Sequence, residues 1–252
     1  MATLVTFHAH PDDECIACGG VMRKAYEDGH RVVLVVATRG EHGELHGTLD
    51  EGEELWERRV KETNAAAEIL GASRVEFLGY VDSGMMGDPT NDLPGSFWTA
   101  DVEEAAQRLA AILTDEDADV LTIYDDYGTY GHPDHIKVHH VGKRAGEIAG
   151  TQRVYQHAVN RDLVMAGDAP PEITEDPHFG KPEAMLTAAV DVSAFADHKR
   201  KAMRAHASQI DEESFFLAMP DDVFQVAFGT EWFIREGQGP GITETDIMGG
   251  LK

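Results

Sequence analysis

Short β-branched, apolar runs alternate with longer stretches of helical composition through most of this chain. Residues 3–8 and 31–37 read as strands, and residues 14–28 between them read as a helix closed by Gly29. The chain therefore opens β-α-β. The pattern recurs: a charged helical stretch over 53–70 ends at Gly71 and leads to a strand at 74–78, and a helix over 101–113 leads to a strand at 120–124. Pro133 suits a first helical turn, so a further helix is expected from there to Ala149, followed by a strand over 153–159. Strands that alternate with helices predict an α/β fold with a Rossmann-like, mostly parallel sheet and helices on both faces.

The pattern weakens beyond that strand. Residues 161–183 carry four prolines and two glycines and are expected to form an excursion or lid, because recognisable elements resume after them. A helix is expected over 193–208 with Ser193 as its cap, whereas 210–252 gives no firm element. One domain over 1–252 accommodates all of this.

Composition removes several function classes. The 252 residues include 46 acidic and 21 basic side chains, a formal charge of −25 that repels phosphate backbones and anionic headgroups. Neither nucleic acid nor a membrane is an expected partner. The longest strongly apolar run, 32–37, is too short to span a bilayer, and the first residues lack a basic segment leading into an apolar stretch, which predicts a cytoplasmic protein. Cys15 and Cys18 provide no disulfide framework, and their C-x-x-C spacing reads as small-residue packing rather than a redox pair. Homo-oligomer formation stays open.

Open parallel sheets bind ligands beyond the carboxyl ends of their strands. The first predicted strand ends in His10-Pro11-Asp12-Asp13-Glu14, and the fourth leads to Tyr130-Gly131-His132-Pro133-Asp134-His135. Both segments concentrate imidazoles and carboxylates, the donors that zinc or a similar divalent metal takes, and a catalytic site keeps one position for water. His10 and Asp13 can converge across a turn, and His135 can complete the set from the neighbouring loop. Asp12, projecting about 100° away, is then free to act as general base. His132 is in range to stabilise or protonate the reacting group, and Tyr130 to donate to an oxyanion.

His8 reads as a packed or supporting histidine, and Glu14 fits either a helix start or a supporting role. His139 reads as part of a solvated or packed helix face, and His46 as exposed; His42 fits a substrate-lining role as well as exposure.

The segments at 10–14 and 130–135 resemble the two signatures of the PIG-L-like (LmbE-like) metal-dependent de-N-acetylases. Thr38-Arg39-Gly40-Glu41, the Arg59, Glu62, Ala66 and Leu70-Gly71 spacing, and His206-Ala207-Ser208-Gln209 resemble further family segments in family order. The resemblance runs from Thr3 to about Gln209. It implies zinc on His10, Asp13 and His135, with Fe(II) or another divalent metal as substitutes, and Asp12 as base. It further implies that His132 and Tyr130 act on the tetrahedral intermediate, that Asp134 tunes His132 and that Arg59 holds substrate. The implied activity is removal of an acyl group from an N-acyl amino sugar, such as N-acetylglucosaminyl-inositol, or cleavage of a related amide in a mycothiol conjugate. Two histidines and one carboxylate also occur in non-haem iron oxygenases, and a non-enzymatic sugar-binding or metal-storage module is a third reading; retention of the non-ligand Asp12 and His132 speaks against it.

Overall fold

The computed structural model describes residues 1–167 and 171–252. Its strands, β1 (Thr3–His8), β2 (Arg31–Thr38), β3 (Arg74–Tyr80), β4 (Val120–Tyr124), β5 (Arg153–Ala158), β6 (Ala188–Asp191) and β7 (Thr230–Arg235), form a seven-stranded sheet among the described residues, in the order β3-β2-β1-β4-β5-β7-β6. The first five are parallel, and β7 runs antiparallel to both β5 and β6. The expected mostly parallel sheet is what forms.

Burial explains the apolar strand sequences. Val33–Ala37 of β2 has no exposure at all, because helices cover both faces of the sheet. Helix α1 (Asp13–Ala17) follows β1 and leads to α2 (Gly19–Glu27). α3 (Leu55–Leu70) joins β2 to β3, and α4 (Val102–Asp115) joins β3 to β4. Beyond β4 come the kinked turn α5 (Gly128–Gly131) and α6 (Pro133–Ala149), and beyond β5 come α7 (Arg161–Ala166), α8 (Pro171–Thr174), α9 (Ala196–Ala205) and α10 (Asp221–Phe228). α4 packs on α6, while α2, α3 and α9 pack together. Connections from β1 lead to β2, yet β4 is its other neighbour, so strand order reverses between β1 and β4. That switch point opens a crevice at the strands' carboxyl ends.

Several boundaries differ from expectation for identifiable reasons. The single helix expected over 14–28 breaks at Cys18 (φ −128°, ψ 7°), because the amides of Gly20 and Val21 turn to the carboxylate of Glu231, at 2.7 and 2.8 Å. α3 starts two residues late: Glu54 precedes it and donates its amide to Glu57, at 3.0 Å. Ser193 does not cap α9; its amide donates to Asp191, and a 3-10 turn (Ser193–Phe195) precedes the helix. That helix stops at Ala205, leaving 206–208 free to turn inward. Region 210–252 supplies α10 and β7, the latter inserted between β5 and β6.

The expected lid over 161–183 includes residues 168–170, which lie outside the described residues. Its return is stitched to the strand ends: Lys181 N–H donates to Val159 O at 2.8 Å, and Gly180 N–H to Thr129 O at 3.2 Å. Among the described residues, no helix is long and apolar enough to cross a membrane.

Candidate active site

The loop after β1 is shaped from beneath. Thr38, last in β2, donates from both its amide and its hydroxyl to Ala9 O (3.1 and 2.9 Å), fixing the residue before His10. The carboxylate of Asp13 then closes the turn by accepting the His10 amide on Oδ2 at 2.8 Å. That same oxygen stands 3.5 Å from His10 Nδ1 and 3.4 Å from His135 Nε2. His135 comes from the first turn of α6, across the switch point. Two loops separated by more than a hundred residues thus meet at one carboxylate oxygen.

These separations suit a metal. Tetrahedral ligands about 2.1 Å from an ion lie about 3.4 Å from one another. The donor set of two imidazoles and a carboxylate is a common one for zinc and other divalent ions. His132 adds a third imidazole, with one ring nitrogen of each of His10, His132 and His135 within 4.8 Å of the others.

Electrostatics favour a cation here. Burial opposes the charge on Asp13, but His135 and His10 hold its carboxyl well below the usual range. Burial likewise opposes protonation of His10, yet Asp13 and Asp134 push it up to about 10. Burial takes His135 down to about 4 and His132 down to about 3, the latter helped by repulsion from His10 and His135, so both present neutral nitrogens.

Around this cluster the remaining candidates take definite places. Asp12 adopts φ 96°, ψ −28°, a left-handed backbone. Arg59 NH2 lies 3.4 Å from its Oδ2. Burial and the charge of Asp13 raise the Asp12 carboxyl to about 6, against the pull of Arg59. Tyr130, half-exposed, sets its hydroxyl 3.4 Å from His135 Nε2, and burial keeps the phenol protonated. His132 caps α6, its Nδ1 accepting the Asp134 amide at 3.2 Å; the ring proton therefore sits on Nε2.

Two residues sit otherwise than expected. The Asp134 carboxylate reaches His10 Nε2 (3.2 Å) and the Ser83 amide (2.7 Å), so it acts on His132 through its charge, which favours the protonated ring, and through its backbone N–H, and not by a side-chain hydrogen bond. Arg59 is only 4% exposed and donates to Pro11 O (2.7 Å) and Gly40 O (3.0 Å), holding the loop that carries Asp12. Gly40 has φ 68°, a conformation that favours glycine, and a Cβ there would fall 2.0 Å from that guanidinium.

Tyr124 escaped the reading of the sequence. It ends β4, stacks on His135 with ring centroids 4.5 Å apart, and its hydroxyl meets His8 Nδ1 at 2.8 Å. Asp82, just past β3, is buried and accepts the His42 amide. Extending the strand-end rule to the third strand would have reached Asp82, whereas Tyr124 belongs to the fourth strand itself, where an aromatic reads as core. His8 is packed, His139 is buried with Nδ1 on Tyr124 O (3.0 Å), and His46 is exposed.

A family profile described as GlcNAc-PI de-N-acetylase, PIG-L, matches residues 5–146, more than half of the chain. The chain belongs to the PIG-L family. Among its relatives, the 1D-myo-inositol 2-acetamido-2-deoxy-alpha-D-glucopyranoside deacetylase of Acidothermus cellulolyticus is 40% identical, over 92% of this chain and 88% of its own length. Among solved structures, a deacetylase–teicoplanin complex superposes with a TM-score of 0.63 at 19% identity, covering 94% of this chain and all of that one. The 4-carboxy-2-hydroxymuconate hydratase of Pseudomonas putida KT2440 superposes as well, with a TM-score of 0.60 at 21% identity over 97% and 99% of the two chains. The PIG-L fold thus carries more than one chemistry, and the activity of this PIG-L protein has to be argued from its site.

Proposed function

We propose that this protein is a zinc-dependent hydrolase that removes the acetyl group from an N-acetylglucosaminyl-inositol-like amino sugar. The observation that carries the reading is the single Asp13 oxygen set 3.5 and 3.4 Å from His10 Nδ1 and His135 Nε2, beside an Asp12 that is not part of that triangle. His10, Asp13 and His135 would hold the metal. When bound, a divalent ion of this kind lowers the pKa of a water to about 7 and polarises a carbonyl.

Asp12 takes the proton from the attacking water. The neutral His132 Nε2–H and the Tyr130 hydroxyl donate to the amide oxygen as it gains charge. Because the Asp134 amide occupies His132 Nδ1, His132 has a fixed hydrogen to offer in a hydrogen bond, and Asp12 is left to return its proton to the departing amine nitrogen. Asp134 and Ser83 steady His10, and Arg59 steadies Asp12. The deacetylase name of the Acidothermus relative supports the substrate class, and the return of the 161–183 segment beside Thr129 supports a wall next to Tyr130.

Incubation of the full chain with N-acetylglucosaminyl-inositol, N-acetylglucosamine and a mycothiol conjugate tests this. Equal amounts of acetate and free amine are expected from the first, with label from ¹⁸O-water in the acetate and no oxygen consumed. A chelator should abolish release, and zinc should restore it. Turnover coupled to oxygen uptake would turn the reading to the iron oxygenase.

Gly128 offers a second check. At φ 63° it lies so close to α6 that a Cβ would come 2.5 Å from the Cβ of His135 and 2.7 Å from the Ile136 amide. Gly128→Ala is expected to displace His135 and leave the protein folded but short of one metal per chain by elemental analysis. Full occupancy would remove His135 from the ligand set.

A further inference from the structure

Asp12 is one of three non-glycine residues with positive φ among the described residues. Such a backbone is strained and persists only where its surroundings over-determine it. Here the surroundings converge on one residue. The Asp12 amide donates to Glu14 Oε2 at 2.9 Å. Its carbonyl accepts the Cys15 amide at 3.2 Å and the Cys15 thiol at 2.9 Å. The second oxygen of Glu14 meets His206 Nε2 at 2.6 Å, and both side chains have no exposure.

His206 is itself anchored. Two residues on, Ser208 donates from its amide and hydroxyl to Glu62 (3.0 and 2.6 Å) on α3, the helix that also carries Arg59. The 206–208 turn, 192 residues from Glu14 at its nearest end, is thereby locked against the back of the loop that bears Asp12.

We infer that His206, acting through Glu14, is a positioning residue for Asp12; the inference rests on the reading of Asp12 as the base. Without His206, the Glu14 carboxylate is free to rotate, the Asp12 amide loses its acceptor, and the residue relaxes toward negative φ, swinging its carboxylate away from the reacting water. Displacement of a reacting group by about 1 Å costs as much as 10²-fold in rate. Glu14, Cys15 and His206 also place donor atoms within 4.8 Å of one another, the spacing of a second metal site. Against that, both Glu14 oxygens are hydrogen-bonded, and 2.6 Å between Nε2 and Oε1 is shorter than the roughly 3.4 Å that separates two ligands on one ion. All three side chains instead secure Asp12, two of them directly.

The test compares His206→Ala, His206→Gln, Glu14→Ala and Glu14→Gln in the zinc-loaded protein, with Cys15→Ala as a control for metal content. Both alanine variants are expected to lose about 10–100-fold in kcat with KM and one metal per chain retained. The Gln variants, each keeping a hydrogen-bonding group in place, should recover most of kcat. Backbone amides over 12–16 should exchange with deuterium faster in the alanine variants than in the Gln variants, a readout that survives even if no N-acetyl sugar is turned over by the parent protein. Unchanged kcat and exchange in a folded alanine variant would overturn the inference. So would a second metal equivalent lost in both His206→Ala and Cys15→Ala. If the alanine variants do not fold, full loss of kcat in well-folded Gln variants with unchanged exchange over 12–16 would also count against it.

Discussion

Asp12→Asn is expected to lower kcat by about 10²–10⁴-fold while leaving the metal content and the thermal midpoint where they are. The substitution isolates one property. Asparagine is close in shape and among the few residues that tolerate a left-handed backbone, so the φ of 96° is kept. Its amide oxygen can still face Arg59. What it lacks is the ability to accept a proton from water and return it to the leaving amine. Asp13→Asn, one residue away, should behave differently, because Asp13 Oδ2 is the atom shared by His10 and His135. There the metal itself is expected to be lost. Acetate release and elemental analysis on the two variants separate a base from a ligand; an Asp12→Asn protein that works within a few-fold of the parent would end the proposed mechanism.

Much of this was legible beforehand, because the local signals were strong. The two loops that bring His10, Asp13 and His135 together lie where strands end, and strand ends in a parallel sheet need no imidazoles or carboxylates for folding. Pro133 marked the start of α6 correctly, since a proline ring suits a first turn and His132 can cap it. Tertiary partners were not legible. No periodicity shows that Asp134 turns its carboxylate to His10, or that Arg59 ends among the carbonyls of two loops, since both depend on which strands become neighbours. The break at Cys18 has the same origin: residues 14–28 look like one helix until Glu231, over two hundred residues later, draws the amides of Gly20 and Val21 away. β7 was missed because its alternation, with Glu231 and Phe233 inward, places a charge where a strand pattern calls for an apolar residue.

That inward charge leads to the largest expected effect on stability. Glu231 is 2% exposed and Lys199, from α9, is 1% exposed, with Nζ 2.7 Å from Glu231 Oε1. The same carboxylate receives the Gly20 and Val21 amides in the first turn of α2, so one buried anion ties together β7, α9 and α2. A Cβ on Gly20 would fall 2.9 Å from that carboxylate and 2.4 Å from Val192, which keeps the approach open only to glycine. Lys199→Met keeps most of the volume and removes the cation. Removing one partner of a buried pair leaves a charge without compensation and costs about 3–5 kcal/mol. The helix amides remain as partial neutralisation, which places the expected loss at about 3 kcal/mol. For a chain of this size each kcal/mol shifts the midpoint by about 2–4 °C, so thermal unfolding should show a drop of about 6–12 °C. Lys199→Met with Glu231→Gln should regain part of it, because a neutral amide oxygen still accepts from α2 and no charge is left buried. A single variant that melts within about 2 °C of the parent, less than about 1 kcal/mol on that scale, would mean that the end of α2 alone satisfies Glu231. The lysine would then contribute packing through its stem rather than charge.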